Sequence, residues 1–442
     1  MKRIRVAVVG VALVAIGLSG QAAPFTAGNL VIYRVGDGVA SLVNKGNPVF
    51  LDEYATNGTL VQSIMLPTNA VGASYPLIAS GTATSEGLVT RSADGRYLVF
   101  MGYGTTMGGS SLSGTTSINV PRVVGRADVN GNLDTTTALT NFASANNPRS
   151  AASDNGTNLW VAGAGSVASA PGGVGYTVLG SQSSTAVSTS SVNNVIQLGI
   201  FGGQLYVSSQ KATQFRLGTV GTGLPTSATT IVSLPGCPTN TGSPDAFVLV
   251  NLGGGAGPDT LYVADDTPGG IYKYSLVGGN WTSNGVITAS AVCGLTASLE
   301  AVGGTTNVHL FGTTGTNSVS GGYLYAFSDT TGYNGNLGAA SAAVIATNAL
   351  KMAFRGIAWA PVETVDYRIL AFSTAGNNIT LTWRAAGGTT NAVEAQADLM
   401  ATAFTNISGP IAVSGSGSVI TNYTEFQGAT NAMRYYRIHQ LP

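Results

Sequence analysis

Asn29-Leu30-Val31-Ile32-Tyr33 is the first of six phrases of one kind in this chain. It returns as Arg96-Tyr97-Leu98-Val99-Phe100, Asn158-Leu159-Trp160-Val161, Gln204-Leu205-Tyr206-Val207, Thr260-Leu261-Tyr262-Val263 and Val308-His309-Leu310-Phe311. Most set a polar residue ahead of a run of β-branched, leucine and aromatic side chains, which favour a pleated strand. Counted through Tyr97, Leu159, Leu205, Leu261 and His309, successive copies lie 62, 46, 56 and 48 residues apart. A strand-and-turn unit of roughly 40–60 residues cannot bury its apolar side alone and must stack on its neighbours.

That period predicts an all-β chain folded as a β-propeller, with four strands A to D per blade and A nearest the axis. Blade five is the clearest. Ala246–Val250 supplies A, Leu261–Ala264 B and Ile271–Ser275 C, with D after Trp281. Two C–D hairpins match each other: Tyr54-Ala55-Thr56-Asn57-Gly58-Thr59-Leu60 and Ala127-Asp128-Val129-Asn130-Gly131-Asn132-Leu133. Both centre on Asn-Gly, which supplies the positive φ values of a tight hairpin. Asp128, Asn130, Asn132 and Asp134 also have calcium-loop spacing. However, Leu133 stands where that loop needs Gly and Leu139 where it needs Glu, so the hairpin is the stronger reading. The N-terminal segment offers strands B, C and D but no A, while Gly356-Ile357-Ala358-Trp359 near the other end is a lone A strand. Joining them completes a blade and leaves no open edge. The count is then six blades; a seventh within Gly104 to Asn147 is left open.

The sequence has 442 residues. Residues 1–22 read as a secretory signal peptide: Lys2, Arg3 and Arg5, then the apolar run Val6 to Leu18, then Gly20-Gln21-Ala22. The run is too short to span a bilayer, and no other segment reaches about 18 apolar residues. Without the signal, 16 of 19 basic residues remain against 19 acids, a net charge near −3. That balance argues against a nucleic-acid partner. Charged residues are 9% of the chain and 61 residues are Gly, which suits a secreted or cell-surface β-protein with a Thr/Ser/Asn surface. Cys237 and Cys293 lie at similar offsets in successive repeats. A disulfide and two free thiols both remain open, and the chain has too few Cys and His for a zinc site.

Beyond Pro361 the propeller phrase stops. Residues 366–442 hold short strands such as Ile379-Thr380-Leu381-Thr382-Trp383 and Tyr435-Tyr436-Arg437-Ile438, and resemble a fibronectin type III or immunoglobulin-like β-sandwich. Trp383 is expected in its core. The chain as a whole resembles a group of secreted bacterial β-propeller proteins that end in a small sandwich. The resemblance rests on Phe25 to Gly38, Val49-Phe50-Leu51-Asp52-Glu53-Tyr54, and Phe354-Arg355-Gly356-Ile357-Ala358-Trp359-Ala360-Pro361. It implies a 23–361 propeller and a 366–442 sandwich, and export; it brings no catalytic residues.

Aligning the starts of the A strands gives one candidate site. The second position of each reads Glu86, Arg149, Asn194, Asp245, Glu300 and Arg355. These six would ring one mouth of the axial channel. Arg–carboxylate pairs there would fix blade register; alternatively the ring would bind a sugar, another small polar ligand or a cation. Asp245 with Glu300 could hold calcium, the one cofactor considered, or serve as an acid/base pair. His309 is expected as a packed strand residue and Asp265-Asp266 as a B–C turn. With two His in all, a Ser-His-Asp triad is disfavoured. The favoured reading is a secreted binding module acting through its axial face on an extracellular ligand or surface partner, carbohydrate among the candidates. The alternatives are a polysaccharide hydrolase or lyase using axial carboxylates, and a structural surface or matrix protein.

Overall fold

The computed structural model describes residues 23–441 except 190, 211–214, 268, 303–304, 316–320, 364–366, 387–388, 399–403 and 415–417. The signal-like segment 1–22 lies outside the described residues. The fold is an all-β propeller. Six antiparallel sheets follow one another around an axis, each with four strands in the order A-B-C-D. Blade one closes the ring: A is Ala353–Trp359, B Leu30–Val35, C Val49–Tyr54 and D Leu60–Met65. Leu30 pairs with Trp359, Val31 with Ala358 and Ile32 with Ile357. The two ends of the propeller segment are thus sewn into one sheet, as the strand count anticipated.

The inner strands of blades two to six are Thr90–Arg91, Pro148–Ser153, Leu198–Phe201, Pro244–Val250 and Val292–Val302. Gly104 to Asn147 holds strands C and D of blade two, Arg122–Asp128 and Leu133–Leu139, and no further blade among its described residues. Instead of adding a blade, it adds a long loop before Arg122 that packs on the B–C loop of blade one, with Leu112 N–H donating to Asn44 O at 2.9 Å.

The repeat phrase reads as a continuous apolar run because each strand is buried on both faces. Val31, Tyr33 and Val35 face Leu98 and Phe100 of blade two. Leu30 and Ile32, on the other face, meet Phe311 and Leu324 of blade six. The same exchange recurs around the ring, so every blade-to-blade interface has its own apolar cluster. The polar residues at the turns do local work. In the blade-two hairpin the Asp128 carboxylate accepts the Asn130 and Asn132 N–H groups, each at 2.9 Å, and Gly131 takes φ +75°.

Blade six reaches across to blade five. Its C–D connection lays Ala340–Ser341 parallel to strand D of blade five, Asn280–Thr288, as a fifth strand. Under this strap Lys273, fully buried, bonds Asp329 at 2.7 Å, Thr331 Oγ1 at 2.7 Å and Gly332 O at 2.8 Å. Tyr262 O–H donates to the same Asp329 carboxylate.

After the propeller, one sheet joins Arg368–Ala375, Asn378–Ala386 and Ser418–Glu425. A second joins Thr390–Gln396 with Thr405–Asn406, Ile411–Ala412 and Tyr435–Leu441. Leu381, Trp383 and Val393 lie in one cluster between them. Trp383 is fully buried, with its indole N–H on Asn391 Oδ1 at 3.1 Å.

Candidate functional site: the axial channel

The six inner strands do not begin regularly. In blades three, five and six the pairing with strand B skips one residue, Arg149, Asp245 and Cys293 respectively. In blade one it skips over Arg355 and Gly356 opposite Tyr33. A bulge of this kind re-aims a side chain out of the pleat. Here it turns one side chain per blade inward at the upper mouth, where the inner strands begin. Glu86 and Asn194 lie just ahead of the inner strands of blades two and four. The structure therefore brings Glu86, Arg149, Asn194, Asp245 and Arg355 to the upper mouth.

Glu300 does not join them. Blade six fills that position with Cys293, whose thiol lies 3.8 Å from Arg355 O. Glu300 falls near the opposite end of the long inner strand Val292–Val302. Seven residues at about 3.3 Å each put it some 23 Å further along the strand. There its side chain is 57% exposed and pairs with His309 Nε2 at 2.8 Å. His309 sits on strand B as expected but is only part-buried, and also bonds Ser328 at 2.8 Å. Asp245 and Glu300 are thus at opposite ends of the axis and form no pair. The residue at this position is followed by Gly in three blades: Glu86-Gly87, ahead of the inner strand, and Cys293-Gly294 and Arg355-Gly356 at bulges. That dipeptide was the sequence signal for the true register. It reflects packing. A Cβ on Gly356 would lie 2.2 Å from Val89 N, so the inner strands of blades one and two approach this closely because Gly356 has no side chain.

The charged residues of this upper ring are buried. Gly356 N–H donates to Gly87 O at 3.0 Å and Leu88 N–H to Arg149 O at 3.0 Å, linking blade one to blade two and blade two to blade three. Glu86 is 3% exposed, Asp245 6%, Arg149 8% and Arg355 0%. Among the described residues no salt bridge joins Glu86, Arg149 and Asp245, whose hydrogen bonds go to neutral groups, and Arg149 Nε has no partner. Glu86 accepts from Tyr103 O–H at 2.6 Å, from Asn147 Nδ2 and from Ser80 N–H at 3.2 Å. Arg149 donates to Asn194 Oδ1 and to Val195 O at 3.0 Å, while Asp245 accepts from Gln210 Nε2 at 2.7 Å.

Burial therefore dominates the ring's titration. Loss of water raises the Glu86 pKa, against the pull of the Tyr103 and Asn147 hydrogen bonds. Burial and then the nearby Asp266 hold the Asp245 carboxyl well above the usual carboxylate range. Burial draws the Arg149 guanidinium down to about 10 and pushes the Cys293 thiol up to about 12. Cys237 is a second buried free thiol, packed in the interface of blades four and five. Asp265 forms the expected turn, accepting Ser243 and Thr267 N–H groups at 2.9 Å.

The lower half of the channel, where the inner strands end, is open. A cavity of about 260 Å³ lies there, and all six inner strands or their flanking residues contribute walls. Trp359 and Ile357 come from blade one, Arg91 from blade two, Ser153 from blade three, Phe201 and Gln197 from blade four, Leu249 from blade five and Leu295 from blade six. Trp359 is part-buried and held in place: its indole N–H donates to Ala297 O at 2.6 Å, and its ring meets Phe311 edge-on at 5.5 Å. None of the six residues expected from the sequence lines this cavity.

No protein-family model and no curated protein matches the chain. Among solved structures, a soluble aldose sugar dehydrogenase from Escherichia coli is 10% identical with a TM-score of 0.38, covering 68% of this chain and 99% of its own. A protein described as glucose dehydrogenase is 12% identical at a TM-score of 0.37, covering 69% and 98%. A polysaccharide lyase described as an ulvan lyase is 9% identical at a TM-score of 0.33, covering 94% and 100%. At such identities and scores the likeness to these proteins is a general one.

Proposed function

We propose that the chain is a secreted ligand-binding propeller that takes a small ligand into the lower axial cavity. The observation that supports this is the contrast between the two mouths. The charged residues at the top are buried, and main-chain hydrogen bonds tie blade one to blade two and blade two to blade three there. The lower half stays open, with a fixed aromatic wall and backbone polar groups, the usual make-up of a preformed small-molecule site. The ring then acts as the rigid floor of the site, and the two C-terminal sheets as a separate β-sandwich that spaces or attaches the propeller. Export is supported by the leader-like segment 1–22. No helix among the described residues is long and apolar enough to cross a membrane.

The hydrolase or lyase alternative would draw on Glu86 and Asp245, two carboxyls whose proton affinity burial has raised. Both are buried and would need a route to substrate.

Fluorescence tests the binding reading. Of the four tryptophans, Trp160, Trp281 and Trp383 are buried in apolar clusters, and Trp359 alone borders the cavity. A monosaccharide panel is expected to change tryptophan emission in the native protein and to lose that effect in Trp359→Phe. Ligand-induced change that survives Trp359→Phe would place the ligand elsewhere. Turnover of an oligosaccharide, abolished by Glu86→Gln or Asp245→Asn, would favour the enzyme.

A further inference from the structure

We infer that the lower cavity binds an organic anion of about monosaccharide size, with its charged group on Arg91 and its ring against Trp359. This rests on the cavity being the ligand site, as proposed above, and adds the charge and size of the ligand.

The charge comes from the lining. Arg91 is the one charged residue among the described residues that form the walls, and no carboxylate accompanies it. Some arginines of the chain have acids: Arg34 has Asp52, Arg96 has Asp94 at 2.7 Å and Arg126 has Asp134 at 3.3 Å; Arg149, in the upper ring, instead donates to Asn194 Oδ1 and Val195 O. Arg122, which has none, is saturated by carbonyl and hydroxyl oxygens, including Val120 O at 2.7 Å and Ala143 O at 3.1 Å. Arg91 makes a single long hydrogen bond among the described residues, to Ala360 O at 3.3 Å. A guanidinium has five N–H donors arranged to grip an oxyanion, so most of them remain available. Arg91 is exposed at the cavity wall, so its free donors are open to a ligand entering from solvent. In a chain with 9% charged residues, a cation placed so is matched to something that arrives from outside.

The size and the ring come from the shape. A volume of about 260 Å³ falls just under the roughly 300–1,000 Å³ of sites for drug-sized ligands, which leaves room for one ring. Trp359 of blade one and Phe201 of blade four both border the cavity, Trp359 leaning on Phe311 of blade six. Phe201 is braced by Phe247 at 6.0 Å between ring centres. Two immobilised apolar faces cost little ordering on binding. A metal cation, by contrast, would find no carboxylate in these walls.

The test is a calorimetric titration of the full chain with D-glucuronate, D-glucose 6-sulfate and D-glucose. The wild type is compared with Arg91→Gln, Arg91→Lys, Trp359→Phe and Arg96→Gln, the last replacing a cation already paired outside the cavity. Near-ultraviolet circular dichroism verifies that each variant is folded. A charge-assisted contact predicts that glucuronate or glucose 6-sulfate binds at least about tenfold more tightly than glucose, and whichever anion is preferred identifies a uronic or a sulfated source. The preference should vanish in Arg91→Gln, survive in Arg91→Lys and Arg96→Gln, and shrink at high salt. Trp359→Phe should weaken anion and neutral sugar alike. Equal binding of glucose and both anions, untouched by Arg91→Gln but weakened by Trp359→Phe, would overturn the anion and keep the cavity. No binding of any of the three, or binding indifferent to both Arg91 and Trp359, would overturn both.

Discussion

Removing the Lys273 ammonium should be the most damaging single change in the propeller. Lys273 is 0% exposed and spends all three of its donors inside the protein, on Asp329, Thr331 and Gly332. Asp329 in turn accepts Thr331 N–H at 2.8 Å and Thr331 Oγ1 at 2.6 Å, as well as Tyr262 O–H. The Lys273 bond and these hydrogen bonds hold its carboxyl below the usual range, although burial pushes the other way. Lys273→Met keeps the aliphatic stem but strands a buried carboxylate, and breaking a buried pair from one side costs about 3–5 kcal/mol. At roughly 2 °C per kcal/mol for a chain of this size or slightly less, Tm should fall by about 6–10 °C. The double variant Lys273→Met/Asp329→Leu removes both charges and should recover much of that loss, since apolar replacement of a whole pair is often neutral. Because the pair joins strand C of blade five to the strap from blade six, guanidinium unfolding and differential scanning calorimetry should report the same order: wild type, then double, then single. A loss under about 1 kcal/mol for Lys273→Met, or a double variant as unstable as the sum of the singles, would refute the clamp.

Two further outcomes follow from the ring. Glu86 binds its proton more tightly folded than unfolded, so wild-type stability should fall as pH rises from about 4.5 through the higher folded pKa. Guanidinium unfolding of Glu86→Gln at pH 4.5 and 7 should show a flatter dependence, with the remaining slope owed to Asp245, and an unchanged slope would place the titrating group elsewhere. With burial pushing both thiols up to about 12, only on the order of one part in ten thousand is thiolate at pH 8. Cys237 and Cys293 should therefore resist a disulfide reagent in the native state and release two thiols per chain in denaturant without reductant. Fast native reaction, or no thiol in denaturant, would contradict the buried free pair.

The architecture was legible because it is written in every repeat. A strand buried on both faces must be apolar at consecutive positions, and Leu30-Val31-Ile32-Tyr33 shows that directly, with alternate residues feeding two different interfaces. Closure was legible by subtraction, from a first blade without an inner strand. The Lys273–Asp329 clamp was not, because its partners lie 56 residues apart in sequence and meet only through a strap that crosses between blades.

Five of the six candidate positions share a mouth, and Glu300 lies at the other end of its strand, because charge alone does not mark the bulge. Charge is a result of the bulge geometry and not its cause. The bulge needs a residue whose side chain leaves the pleat, followed where strands crowd by one without a Cβ. Cys293-Gly294 meets that requirement as well as Arg355-Gly356 does. The same geometry bears on the contrast between the two ends. At the top, main chain meets main chain between blades one and two and between blades two and three. Below, Trp359, Phe201 and the other larger side chains take over the walls, and six strand ends keep a space of about 260 Å³ between them. Its walls come from residues scattered over more than half the chain, most of them unremarkable in sequence. Arg91, on an inner strand of two residues, shows its importance only once it is seen standing in that space without an acid.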